Sequence, residues 1–65
     1  MSPRYHYHRG ELARMRANPW LSRRERQVFD LYYIDGVTSY DVAAELDISR
    51  RTVFNDLASI REKNK

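Results

Sequence analysis

Residues 37 to 57, VTSYDVAAELDISRRTVFNDL, set two apolar patterns of helical period on either side of a three-residue break, DIS. Val42, Ala43 and Leu46 make the apolar face of the first pattern, while Val53, Leu57 and Ile60 recur at intervals of four and three in the second. Thr38, with Asp41 three places later, marks the start of one helix, which ends by Leu46, and Ser49 caps the next. A connection this short keeps the helices from separating, so their apolar faces must share one core. Ile48, inside the break, supplies an apolar plug for it, and Ala43 is small enough to let another helix approach closely.

The pattern predicts a helix-turn-helix: two helices joined by three or four residues and packed at a steep angle. The second of them is expected to run to about residue 62, with the REKNK tail frayed. Upstream, Ser22 and Glu25 have the spacing of a capping box, in which hydroxyl and carboxylate each satisfy the other residue's amide. Leu21 stands at the staple position before that cap, opposite the aliphatic stem of Arg26. Val28, Leu31 and Tyr32, widened by Phe29 and Tyr33, continue a helical stripe as far as Asp35-Gly36. A helix over residues 23–34 follows, with Gly36 available for a left-handed cap. ELARMRA, residues 11–17, carries one or two further helical turns that Asn18 and Pro19 end. The fold class is therefore all-α, with three main helices and a C-terminal helix-turn-helix. Residues 1–20 read as a basic arm or short helix and residues 21–65 as the helix-turn-helix domain.

Composition narrows the function. A chain of 65 residues makes one small domain, because at this size only about 60% of the unfolded surface is buried. It has no cysteine, so neither a disulfide nor a thiolate metal site reinforces the core. His6 and His8 would share a face in a strand, but no third ligand completes a metal site. There is no Ser/His/Asp set, no carboxylate pair with an evident pocket and no glycine-rich phosphate loop, so neither catalysis nor a cofactor is expected. No run approaches 18 apolar residues and no apolar run follows the basic N-terminus, so the chain reads as cytoplasmic, with no membrane span or signal peptide. Trp20, Tyr32, Tyr33 and Tyr40 read as core and rim aromatics, one or two of them available to a homodimer contact.

Charge is distributed in blocks. Residues 1–29 hold seven arginines against two glutamates, residues 30–48 five acids and no base, and residues 49–65 five bases against two acids. Two basic segments around an acidic one suggest opposite faces of opposite sign, and double-stranded DNA is the polyanion such a positive face suits. With Val53 and Leu57 turned inward, the outer surface of the last helix falls to Arg50, Arg51, Phe54, Asn55, Ala58 and Arg61. A helix of this kind fits the major groove, where asparagine pairs with adenine and arginine with guanine. The base-reading set is Arg50, Arg51, Phe54, Asn55 and Ala58; Phe54 either meets a thymine methyl or folds back into the core. Phosphate contacts are assigned to Arg23, Arg24, Arg26, Ser49, Thr52 and Arg61. Asp56 interrupts the positive surface and is expected to pair with Arg51 or Arg61, while Asp35, Asp41, Glu45 and Asp47 are expected to look away from the duplex.

LSRRERQVFDLYYIDGVTSYDVAAELDISRRTVFNDLASIR, residues 21–61, resembles region 4 of sigma-70-type RNA polymerase sigma factors and related small phage and bacterial activators. The likeness lies in the L-S-x-R-E-R-x-V-F opening, the D-G-x-T turn, the D-V-A-x-x-L helix and the I-S-x-x-T-V start of the last helix. The segment is also similar to LuxR-type DNA-binding domains, although the spacing from Val28 to Gly36 is closer to the sigma pattern. The resemblance implies promoter recognition by the surface of Arg50, Arg51, Phe54, Asn55 and Ala58, backbone contacts from Arg23, Arg24 and Arg26, and contact with RNA polymerase. Positions 54 and 56, often basic in such domains, are Phe54 and Asp56 here. With no segment for promoter opening, the expectation is a sequence-specific transcriptional regulator of phage or mobile-element type. The alternative is an adaptor that docks on RNA polymerase or another regulator through the same fold.

Overall fold

The computed structural model describes residues 8–65; residues 1–7, including His6 and the start of the N-terminal arm, lie outside that range. Four α-helices follow one another: α1 (Arg9–Arg16), α2 (Arg23–Phe29), α3 (Ser39–Leu46) and α4 (Arg50–Lys63), with a π-helical segment, Asp30–Ile34, continuing α2. Among the described residues there is no strand, and no helix is long and apolar enough to cross a membrane.

Each helix begins where its chemistry requires. At α2 the capping box forms in full, the Glu25 amide donating to Ser22 Oγ at 3.1 Å and the Ser22 amide to Glu25 Oε1 at 2.8 Å. Thr38 Oγ1 accepts the Asp41 amide at 3.2 Å to start α3, and Ser49 Oγ accepts the Thr52 amide at 3.1 Å to start α4. Val28, Phe29, Val42, Val53 and Ile60 are fully buried, so α2, α3 and α4 each supply part of one core. Burial of each such side chain stabilises by about 1.5–3 kcal/mol before conformational entropy is subtracted. Met15 and Leu21 are buried with them, which fastens α1 and the following turn to the same core.

The helix expected over residues 23–34 is continuous but changes pitch at Asp30. The Asp35 amide donates to the Asp30 carbonyl at 2.9 Å, five residues back rather than four. The wider turn rotates each residue less than an α-helix does, so Leu31, Tyr32 and Tyr33 all lie half-buried against the core in succession. Tyr33 packs on Phe29 with ring centroids 5.0 Å apart. Gly36, at φ 73°, makes the left-handed turn read from the sequence.

The break between α3 and α4 uses a device that the residue types did not announce. Asp47 adopts φ 55° and ψ 47°, the left-handed position usually given to glycine. The Ile48 amide then reaches the Ala43 carbonyl at 3.0 Å and the Ile48 side chain packs against the core, closing a Schellman motif. Asp47→Gly is expected to raise stability by about 0.5–1 kcal/mol, as relief of Cβ strain outweighs the added freedom of the unfolded chain. Urea denaturation measures this directly, and a lower midpoint for the variant would refute it.

The C-terminal end of α4 is fastened rather than frayed. Asn18 Nδ2 donates to the Lys63 carbonyl and to Asn64 Oδ1, both at 2.9 Å, and Lys63 Nζ donates to the Trp20 carbonyl at 2.9 Å. These partners are more than forty residues apart in the chain, and local helix signals contain no trace of them. Trp20, expected in the core or at its rim, is 76% exposed on this turn.

Candidate nucleic-acid interface

α4 divides cleanly into two surfaces. Val53, Asp56, Leu57 and Ile60 are buried, whereas Arg50, Arg51, Phe54, Asn55, Ala58 and Arg61 are exposed along the other side. At 14 residues the helix spans about 21 Å. Phe54 is 53% exposed, so it stands on the outer surface and not in the core. Residues 8–20 leave Arg50, Asn55 and Arg61 uncovered.

Asp56 corrects the pairing drawn from the sequence. It is 4% exposed, on the side of α4 that meets α2, and its carboxylate receives Arg24 Nε at 2.7 Å and Nη2 at 3.0 Å. Neither Arg51 nor Arg61 takes part, since both stand on the opposite side of the helix. The outer surface thereby loses an acid that would have repelled phosphate. A buried carboxylate held by two nitrogens on one edge of a guanidinium also fixes the register of α4 on α2, whatever its net stabilisation.

A second ion pair holds the other end of α4. Glu25 is 6% exposed and accepts Lys63 Nζ at 2.7 Å in addition to the Ser22 amide. Burial alone would raise its pKa, but the bonds from Lys63, the Ser59 hydroxyl and the Ser22 amide, with the Lys63 charge, outweigh burial and bring it from 4.5 to about 2. Arg24–Asp56 and Glu25–Lys63 thus secure α4 to adjacent residues of α2.

The arginines assigned to phosphate separate into two groups. Arg24 bonds Asp56, and Arg26 donates to the carbonyls of Arg16 at 3.1 Å and Asn18 at 2.9 Å, tying α2 to the end of α1. Arg23 and Arg61 of that set, with Arg51 and Asn55 of the base-reading set, are exposed, and their side chains form no hydrogen bond or ion pair among the described residues. Ser49 and Thr52 join hydroxyls at 2.9 Å as part of the α4 cap. Arg50 lies over the Tyr40 ring, 4.2 Å from its centroid.

A family model for sigma-70, region 4, matches residues 21–63. The chain belongs to the sigma-70 region 4 family. It is similar to the spore germination protein GerE of Bacillus subtilis (strain 168), at 40% identity over 47 residues, 72% of this chain and 62% of GerE. The chain therefore spans less than two thirds of the length of that curated relative. No solved structure matches it significantly.

In this region 4 domain the helix-turn-helix is α3 and α4, and α1 precedes the matched residues. Two members of the outer surface escaped the sequence reading. Glu62 lies four residues beyond Ala58, exposed, and pairs with Lys65 at 3.2 Å; helical spacing alone would have found it. Tyr40 adjoins Arg50 from another helix, which helical spacing does not reveal.

Proposed function

We propose that the chain is a DNA-binding transcriptional regulator that inserts α4 into the major groove of double-stranded DNA. Support comes above all from the unpaired hydrogen-bonding groups of Arg51, Asn55 and Arg61 on an exposed surface whose reverse side is core. Asn55 suits adenine and Arg50 or Arg51 suits guanine, each bidentate pair discriminating by roughly 1–3 kcal/mol. Ala58 permits close approach of the helix to the base edges, and Phe54 offers apolar contact to a thymine methyl. Arg23 and Arg61 supply free charges for phosphates, with Arg24, Arg26, Ser49 and Thr52 acting behind them by holding α2 and the α4 cap in place. Membership of the region 4 family and similarity to GerE support the same reading.

One such helix contacts few base pairs, so sequence specificity favours a homodimer or a second contact on RNA polymerase. The exposed Phe54 and Trp20 favour a second reading, in which the same fold docks on polymerase or another regulator. Selection of duplexes from a random pool at near-physiological salt separates the two. A recovered consensus, with affinity falling steeply as salt rises, is the expected result, because phosphate contacts release counterions. Recovery of no preferred duplex, with salt-insensitive capture of polymerase, would reverse the order of the readings.

A further inference from the structure

We infer that Tyr40 is a positioning residue for Arg50 and through it a determinant of DNA affinity and specificity; the inference rests on the DNA-binding reading above. The Arg50 guanidinium carbon stands 4.2 Å from the centroid of the Tyr40 ring, well inside the range of a cation–π contact. The Arg50 guanidinium makes no hydrogen bond among the described residues, so its N–H donors stay available to bases or phosphates.

Both partners sit on braced backbone. Tyr40 is in the first turn of α3, below the Thr38 cap, and Arg50 opens α4 directly after the Ser49 cap. An arginine at a helix N-terminus, with no acidic residue in that turn, is otherwise a long side chain repelled by the dipole and free in several torsions. The ring offsets that repulsion and restricts the side chain before DNA arrives. Tyr40 itself is 64% exposed, more than core packing requires. Among the described residues no side-chain hydrogen bond or ion pair joins the outer surface of α4 to α3, whereas the Tyr40–Arg50 contact does join them.

The test compares wild type, Tyr40→Ala, Tyr40→Phe, Arg50→Ala and the Tyr40→Ala/Arg50→Ala double variant of the full chain. Each is titrated against the duplex that wild type selects from a random pool, and against its single-base variants. Tyr40→Ala is expected to weaken binding roughly two- to fivefold, with only a small fall in the unfolding midpoint, as the loss of one exposed contact requires. Whatever base preference Arg50→Ala alters, Tyr40→Ala alters in the same direction. Tyr40→Phe retains wild-type binding, and the double variant binds no more weakly than Arg50→Ala alone. Additive losses in the double variant, or equal damage from phenylalanine and alanine, would overturn the inference, the latter by assigning the effect to the hydroxyl. An unaffected Tyr40→Ala on a duplex that wild type does select rejects the inference alone. Failure of wild type to select any duplex rejects the DNA-binding reading and the inference with it.

Discussion

Replacing Arg50 and Arg51 together by alanine is expected to change the stability of the domain by about 1 kcal/mol or less, yet to leave it roughly a hundredfold weaker on its preferred duplex. Two small effects on stability oppose one another. Each arginine faces the positive end of the α4 dipole with no acid in that turn, so its removal gains about 0.3–1 kcal/mol. Loss of the Arg50–Tyr40 contact costs a similar amount, about 0.5–1 kcal/mol at an exposed site. Binding has no such cancellation. If either arginine reads a guanine, one lost pair removes roughly 1–3 kcal/mol of discrimination, and each lost phosphate contact lowers the slope of log K against log salt by about 0.9. Thermal unfolding and a salt series of titrations separate the two quantities. Affinity equal to wild type at every salt concentration would place the interface elsewhere on the domain.

Acid is expected to weaken the fold through Glu25. Its folded pKa of about 2 lies below the ordinary 4.5, so the carboxylate contributes stability that is complete above pH 4.5 and lost as pH falls towards 2. A shift of that size corresponds to on the order of 3 kcal/mol, reduced by screening because the Lys63 side chain is 34% exposed. Domains of this length are stable by roughly 3–10 kcal/mol in total, so the loss is a large share. Glu25→Gln keeps an oxygen for the Ser22 amide but removes the charge that holds Lys63. Urea denaturation at several pH values should find this variant weaker than wild type at neutral pH by about 2–3 kcal/mol and nearly equal to it near pH 2. Parallel stability curves for the two proteins would show that Glu25 is not the source of the acid sensitivity.

Much of the architecture is legible along the chain because its signals are local. Ser22 with Glu25, Thr38 with Asp41, and Ser49 before the last helix are caps read from neighbours three residues apart, and all three form. The buried stripe through Val28, Val42, Val53, Leu57 and Ile60 follows from helical period, as does the exposure of Arg50, Arg51, Asn55 and Ala58. Asp47 is intermediate: the turn is legible, but its left-handed backbone depends on the short link that two packed helices impose. The π-helical change after Phe29 is likewise silent in the sequence, since it answers to how Leu31, Tyr32 and Tyr33 meet the core together.

Partner choice among the charges was beyond local reading. Asp56 appeared beside Arg51 and Arg61 in the chain but pairs with Arg24, thirty-two residues away. Arg26 turns to two carbonyls, and Lys63 to Glu25 and Trp20. From residue types alone, the sequence determined an all-helical domain, the positions of its caps and the composition of the outer side of α4, because each depends on neighbours within a turn or two. Only the tertiary structure decided which arginines remain free for a polyanion and which hold the helices together, because an ion pair forms between whichever opposite charges the packed backbone brings within reach.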